Sequence, residues 1–154
     1  MKGKPLPEPE VLRVNTDVMC RARARIGPMI DVLIVDDHAS FRAAACRLLE
    51  HAGFRVVGEA FDGKSAIDAV SRFAPDLILL DLQLPGDDGF AISEHIMSAY
   101  RGSADRGPAI VLTSGRPIAH YRRRLAASRA VGFIPKAELT GAALRTLVAH
   151  ETAQ

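Results

Sequence analysis

Four short apolar runs of this sequence end in side chains that can do chemistry. These side chains are, in chain order, Asp36 and Asp37, Asp81, Thr113 with Ser114, and Lys136. Three carboxylates held together repel one another and raise at least one of their pKa values unless a cation shares the site. Magnesium prefers oxygen ligands and is commonly held by one or two carboxylates together with phosphate oxygens. If a phosphoryl group bound beside the ion, a nearby ammonium group and hydroxyl group would contact the phosphoryl oxygens that the ion does not bind. A carboxylate can itself act as the nucleophile that accepts a phosphoryl group.

Taken singly, each of these residues has an ordinary structural explanation. An aspartate after a strand is often only the N-cap of the next helix, which would account for Asp37 or Asp81. Lys136 would be a solvated turn residue, and Thr113 would bond the backbone at the end of its strand. His38, beside the acidic pair, is expected to start a helix rather than to bind metal, because hard cations favour oxygen. The chemical hypothesis therefore requires that the chain bring these positions together.

The apolar runs alternate with stretches of helical periodicity. Continuous apolar runs indicate strands buried on both faces, here over residues 32–35, 56–57, 77–80, 109–112 and 131–134. Helical spacing predicts helices over residues 41–52, 66–73, 92–100, 118–125 and 143–148, with Pro117 in the first turn of the fourth. Five βα units with right-handed crossovers form an open, doubly wound parallel sheet with helices on both faces. The carboxyl ends of parallel strands share one edge, so this α/β fold gathers the side chains above onto one rim.

Length, charge and cysteine content limit the other functions open to the chain. Its 154 residues, 48% apolar and 25% charged, predict one globular domain. The net charge is only +2, which does not favour direct nucleic-acid binding. Cys20 and Cys46 show no metal-binding spacing, and no apolar run reaches the roughly 20 residues of a membrane span or forms a signal-peptide core. We therefore expect a reduced, cytoplasmic protein.

The first 28 residues differ in character from the rest. They hold six basic and three acidic residues, against 14 and 15 in residues 29–154, and they include Pro5, Pro7, Pro9, Pro28, Arg21, Arg23 and Arg25. This composition predicts a poorly ordered extension over 1–28, followed by one domain over 29–154. A short helix over 11–19 and a basic arm for an acidic partner are the alternatives. Met29 stands directly before the first predicted strand, where an internal start would remove no core residue.

Four segments of the chain together resemble the receiver domain of two-component response regulators. They are VLIVDDH at 32–38, LILLDLQLPGDDGF at 77–90, VLTSG at 111–115 and GFIPK at 132–136. The resemblance extends from Met29 to about His150. This part of the chain is also similar to the branch of the family whose members usually carry a C-terminal helix-turn-helix domain. It implies a flavodoxin-like (βα)5 fold with a single five-stranded parallel sheet in the order 2-1-3-4-5. Only residues 151–154 would follow this domain, so we expect a stand-alone receiver without a DNA-binding output domain, or a receiver separated from its output module, that acts through protein contacts.

The resemblance implies a role for each residue on the rim. Asp81 would be the phosphoacceptor. Asp36 and Asp37 would hold Mg²⁺, with Asp81 as a third ligand and the backbone carbonyl of Gln83 as a fourth. Lys136 would pair with the phosphoryl oxygens, and together with magnesium it would neutralise the charge that phosphorylation adds.

A conformational switch is also implied. Thr113 would move its hydroxyl group to the phosphate, and Phe133 would change rotamer, although a strand-core role is the simpler explanation of Phe133. Phe133 has no hydroxyl group, so its part in switching would depend on packing alone. Ala137 stands where the family usually has proline after the lysine, and a cis bond to a non-proline residue costs roughly 3–4 kcal/mol, so we expect a trans bond or a strained loop. The output surface would be the fourth helix, fifth strand and fifth helix, where the arginines at 122–124 form either a solvated basic face or a surface for an acidic partner.

The family implies the partners as well. A sensor histidine kinase or a phosphotransfer protein would supply the phosphoryl group, and a downstream protein would respond, with a homodimer as a further expectation and no membrane contact. The chain would not be an enzyme beyond its own phosphorylation and dephosphorylation. Two alternatives remain: a receiver-like module that binds without phosphorylation, and a magnesium-dependent phosphohydrolase with an aspartyl-phosphate intermediate. The second is less favoured, because Asp36 and Asp37 are adjacent and no general acid follows two residues after the nucleophile.

Overall fold

The central sheet has five parallel strands. They are β1 (Asp31–Val35), β2 (Arg55–Ala60), β3 (Leu77–Asp81), β4 (Ala109–Ser114) and β5 (Gly132–Pro135), and their order across the sheet is β2-β1-β3-β4-β5. This computed structural model describes residues 29–152, so the predicted extension over 1–28, with Cys20, lies outside the described residues. The predicted strands and the flavodoxin-like order 2-1-3-4-5 are confirmed.

Helices connect the strands and cover both faces of the sheet. They are α1 (Ala39–His51), α2 (Gly63–Phe73), α3 (Gly89–Ser98), α4 (Arg122–Ala127) and α5 (Gly141–Thr152). Two 3₁₀ turns, Ile118–His120 and Lys136–Glu138, and a small antiparallel ribbon of Gln83–Leu84 and Asp87–Asp88 complete the described elements. Among residues 29–152, no helix is long and apolar enough to cross a membrane.

The fourth helix differs from its prediction. One helix was expected over 118–125 with Pro117 in its first turn, whereas the chain forms the 3₁₀ turn Ile118–His120 and then the six-residue α4. Pro117 precedes the turn with extended backbone, and Tyr121, at φ −122° and ψ −2°, separates the two segments. Apolar residues three apart share a face in both kinds of helix, so periodicity could not distinguish them.

Buried side chains alternate between the two faces of the sheet, as a strand with period two requires. Leu33 and Val35 of β1 belong to the cluster that packs under α2, α3 and α4, while Val32 and Ile34 belong to the cluster under α1 and α5. All residues of β1 and β3 are buried. The two central strands therefore form a rigid base for the residues that follow them.

The helices begin at the same edge where the strands end. Asp62 caps α2 in a reciprocal pair with Ser65, and the Asp88 carboxylate accepts the Phe90 amide at 3.0 Å to cap α3. Gly89 allows α3 to begin against the end of β3, because a Cβ there would lie 2.6 Å from the Asp81 carbonyl oxygen. The first turn of α3 thus helps to fix the backbone of Asp81.

Replacing Gly89 by alanine is expected to destabilise the fold by about 1–3 kcal/mol, because the added methyl group meets backbone atoms that have little room to move. Urea unfolding followed by circular dichroism measures the free energy of unfolding. Gly115→Ala is the matched control: nothing lies within 4 Å of its added Cβ, and its expected change is within about 0.5 kcal/mol. Equal stability of the two variants would contradict this account of the β3–α3 contact.

Candidate functional site

The predicted carboxylates meet at the carboxyl ends of β1 and β3. One oxygen from each of Asp36, Asp37 and Asp81, together with a ring nitrogen of His38, all lie within 4.8 Å of one another. The two strands are neighbours in the sheet, with Val35 paired to Leu80, so the residues that follow them are side by side. Asp36 and Asp81 are almost fully buried, at 0% and 1% exposure, whereas Asp37 is partly exposed.

Lys136 brings a positive charge to these carboxylates from the far edge of the sheet. Its Nζ lies 2.5 Å from Asp36 Oδ2 and 3.1 Å from Asp81 Oδ2. The ammonium group also lies over the ring of Phe41 on α1, 4.6 Å from the ring centroid. The bond to Ala137 is trans, since residues 29–152 contain no cis peptide, and the lysine opens a regular 3₁₀ turn.

Burial and charge shift the pKa values of both partners. Burial raises the pKa of Asp81, although the Gln83 amide that donates to its Oδ1 at 3.0 Å opposes the shift. Burial alone would lower the pKa of Lys136, but its hydrogen bond to Asp36 and the charge of Asp81 outweigh burial and raise it. The ammonium group is therefore firmly protonated between the two acidic side chains.

The donor set of this rim suits a hard divalent cation. Three carboxylates and one ammonium group leave a formal charge of −2 when His38 is neutral. A divalent ion would cancel that charge, and oxygen donors are the ligands that magnesium prefers. Asp36, Asp37 and Asp81 are the residues that could hold it.

Thr113 places a hydroxyl group beside the acidic cluster. It is the register partner of Asp81 across β3 and β4, and it is fully buried. Its Oγ1 has no hydrogen-bond partner in the structure of residues 29–152. A buried hydroxyl group without a partner costs about 1–3 kcal/mol, so the site favours a ligand oxygen that accepts from it.

Three aromatic rings connect this edge to α4. The ring of Tyr121 lies 6.1 Å from that of Phe90 and 5.9 Å from that of Phe133, measured between centroids. The Tyr121 hydroxyl group lies 3.1 Å from Ser114 Oγ, on the residue next to Thr113. Phe133 is thus partly buried against Tyr121, whose hydroxyl group contacts the residue that follows Thr113.

Helical spacing predicts only that Phe41 and Tyr121 belong to the helices over 41–52 and 118–125, and it gives neither ring a part in the site. Apolar periodicity does report that both rings face inward, but their polar contacts depend on the β4 and β5 ends folding over them. Arg42 was also missed, and its guanidinium donates to the Asp36 carbonyl oxygen at 2.6 Å and to Glu59 at 3.1 Å. The signal available in the sequence was a basic residue in the first turn of the helix that follows the acidic pair.

His38 is where the sequence predicted it, at the N-cap of α1, but it also contacts the acidic pair. Its Nδ1 lies 3.1 Å from Asp36 Oδ1 and 3.0 Å from Asp37 Oδ1. Residues 122–124 of α4 are exposed, as both a solvated basic face and a surface for an acidic partner require. Arg124 additionally pairs with Asp88, and its guanidinium lies 4.2 Å from the Phe90 ring centroid.

The fold and the acidic rim define the class of this protein as a doubly wound α/β domain with its polar site at the carboxyl edge of the sheet. The model of the response regulator receiver domain matches residues 32–148, and the chain belongs to that family. A putative transcriptional regulator of Pseudomonas aeruginosa is 36% identical over 110 residues, which cover 71% of this chain and 51% of the relative. The regulator BvgA of Bordetella pertussis, described as a virulence factors putative positive transcription regulator, is 34% identical over 70% of this chain and 49% of the length of BvgA. The chain thus spans about half the length of these curated relatives.

Solved structures show the same fold. The signal receiver domain of the putative response regulator NarL from Mycobacterium tuberculosis superposes with a TM-score of 0.64 and 29% identity, over 78% of this chain and 97% of that domain. A chain in the CheX–CheY–BeF₃–Mg²⁺ complex from Borrelia burgdorferi gives a TM-score of 0.68 at 22% identity, over 83% and 92% of the two chains. The second likeness concerns the fold alone.

Replacing Asp37 by asparagine is expected to weaken Mg²⁺ binding roughly tenfold or more, because it removes one of the negative charges that attract the ion. Isothermal titration calorimetry with MgCl₂ measures the affinity. Asp105→Asn, which changes an exposed carboxylate in the loop between α3 and β4, is the matched control and should leave the affinity unchanged. Equal affinities for the two variants would show that Asp37 is not part of a metal site.

Proposed function

We propose that this receiver domain accepts a phosphoryl group on Asp81 with Mg²⁺ and then changes its contacts with another protein. The donor would be a histidine kinase or a phosphotransfer protein, and the responding surface would be formed by α4, β5 and α5. The observation that carries the proposal is the contact of Lys136 with two buried carboxylates, one of them on Asp81, beside the unpartnered Thr113 hydroxyl group.

Asp81 supplies the nucleophile in the proposed transfer. One of its carboxylate oxygens bonds to phosphorus while the bond from phosphorus to the imidazole nitrogen of the donor breaks, and the electron pair leaves with that nitrogen. The product is an acyl phosphate on Asp81. The hydrogen bond from the Gln83 amide and the contact with Lys136 orient the carboxylate before the donor arrives.

Receiver domains bind Mg²⁺ at an acidic pocket, and the described aspartates of this chain match that requirement in charge and ligand type. Bound there, the ion would shield the negative charge of the phosphoryl oxygens from the carboxylates. Asp36, Asp37 and Asp81 would hold it with the backbone carbonyl of Gln83. Lys136 would keep its protonated amine near Asp81 and pair with the phosphoryl oxygens after transfer.

The proposed switch begins at Thr113. Its buried hydroxyl group would donate to a phosphoryl oxygen, and the end of β4 would shift with it. Ser114 is the next residue, so this shift would alter its hydrogen bond to Tyr121 at the start of α4. Tyr121 packs on Phe133, and the ring of Phe133 would move in turn. Because phenylalanine has no hydroxyl group, the last step, from Phe133 to the surface, would depend on packing alone.

The partners of the surface are proposed at the level of class. Receiver domains interact with kinases and downstream partners, and the relatives of this chain include transcriptional regulators. A protein-glutamate methylesterase/protein-glutamine glutaminase of Hahella chejuensis also matches, but over only 46% of this chain and 20% of that relative. We propose a protein partner in the cytoplasm, with a homodimer as one form of that contact, and no catalysis beyond the chain's own phosphorylation and dephosphorylation.

Asp81→Asn is expected to abolish labelling by acetyl phosphate in the presence of Mg²⁺, because the amide cannot form the acyl phosphate. Phosphate-affinity electrophoresis separates the phosphorylated from the unphosphorylated chain. Asp105→Asn keeps the Asp81 carboxylate and should be labelled like the unchanged protein.

Full labelling of Asp81→Asn would refute the assignment of the phosphoacceptor. Absence of labelling in the unchanged protein, with both acetyl phosphate and a phosphorylated histidine kinase, would instead favour a receiver-like module that binds without phosphorylation. Turnover of a generic phosphomonoester would favour the phosphohydrolase hypothesis.

A further inference from the structure

We propose that His38 is a nitrogen ligand of the metal site, which would make this receiver bind transition ions such as Ni²⁺ and Cu²⁺ far more tightly than Mg²⁺. The inference rests on the metal site of the proposed function and adds a residue to it. The juxtaposition that carries it is the His38 ring nitrogen within 3.1 Å of one oxygen of Asp36 and one oxygen of Asp37.

The positions of the nitrogen groups divide the acidic cluster into two sides. Lys136 contacts Oδ2 of Asp36 and Oδ2 of Asp81. His38 Nδ1 contacts the other oxygen of Asp36, at 3.1 Å, and Oδ1 of Asp37, at 3.0 Å. The imidazole and Asp37 therefore lie beside the Asp36 oxygen that the ammonium group does not contact.

The backbone holds His38 in this position. Its amide donates to Asp36 Oδ1 at 2.8 Å, and the residue has extended backbone at the N-cap of α1. Its side chain makes no capping hydrogen bond to the helix. With 62% of that side chain exposed, the ring can turn toward a cation without disturbing the core.

The chemistry of the imidazole ring decides which ions gain from it. Mg²⁺ is a hard ion that favours oxygen, so an added nitrogen donor contributes little to its binding. Imidazole suits nickel, copper and zinc, and affinity for a given site rises along the series from manganese to copper. A metal ion binds an imidazole through the lone pair of one ring nitrogen, here Nδ1, which is the nitrogen that faces both carboxylates.

Calorimetric titration of the full chain with NiCl₂ and with MgCl₂ tests the proposal. The unchanged protein should bind Ni²⁺ at least roughly tenfold more tightly than Mg²⁺. His38→Gln should weaken Ni²⁺ binding roughly tenfold or more while Mg²⁺ affinity stays within about twofold. His51→Gln, an exposed histidine at the other end of the same helix, is the matched control and should change neither affinity.

Electron paramagnetic resonance with substoichiometric Cu²⁺ reads the ligand directly. Nitrogen hyperfine coupling should appear in the unchanged protein and in His51→Gln, and it should be lost in His38→Gln. Unchanged Ni²⁺ affinity and unchanged coupling in His38→Gln would overturn the proposal, as would an equal loss of Ni²⁺ and Mg²⁺ affinity, which indicates a hydrogen-bonding role.

The same titrations separate this inference from the proposed function. One outcome would refute only the role of His38. In that outcome Mg²⁺ binds, Asp37→Asn weakens Mg²⁺ binding and Asp81 is labelled, but His38→Gln leaves Ni²⁺ affinity unchanged. If Asp37→Asn leaves both Mg²⁺ and Ni²⁺ binding unchanged, the acidic rim is not the metal site and both proposals fail.

Discussion

Repulsion among three carboxylates, two of them buried, is the constraint on which the functional edge of this receiver depends. Asp36 and Asp81 leave water because Asp36 directly follows the buried strand β1 and Asp81 ends the buried strand β3, and a buried charge without a partner costs several kcal/mol. Lys136 offsets part of that cost from the end of β5, and Phe41 packs beneath its ammonium group. The β5–α5 turn is therefore tied electrostatically to the ends of β1 and β3, while the remaining charge favours a divalent ion.

The connection from this edge to the surface is short. Thr113 neighbours Asp81 in the sheet, and Ser114 contacts the hydroxyl group of Tyr121, which directly precedes α4. α4 has only six residues and none of them is buried, so displacing it exposes little apolar surface. Its position depends on a few contacts, among them the pair of Arg124 with Asp88. An element held in this way is suited to respond to a small movement of β4.

Much of the fold could be predicted from sequence because continuous apolar runs identify the strands of a parallel sheet, and such strands end at one edge. The shared edge predicts that Asp36, Asp81 and Lys136 meet, and in the structure the Lys136 ammonium group contacts both carboxylates. The break in the fourth helix was missed because apolar spacing is alike in α and 3₁₀ segments. The contact of His38 with the acidic pair was missed because the preference of hard cations for oxygen excludes histidine only as a metal ligand. It does not bear on whether the ring lies within hydrogen-bonding distance of the carboxylates. The Tyr121 hydroxyl contact needed the position of Ser114, which only tertiary structure supplies.

We propose that Thr113 senses a phosphoryl group on Asp81 and that the change reaches α4. The most direct measurement is a titration of the ¹⁵N-labelled chain with beryllofluoride and Mg²⁺, which mimics that group, followed by amide chemical shifts. We expect chemical-shift changes at Thr113 and Ser114 that extend to Tyr121 and α4 and exceed those caused by Mg²⁺ alone, and we expect these changes to be absent in Asp81→Asn. Shifts that equal those of Mg²⁺ alone, or that persist in Asp81→Asn, would contradict it.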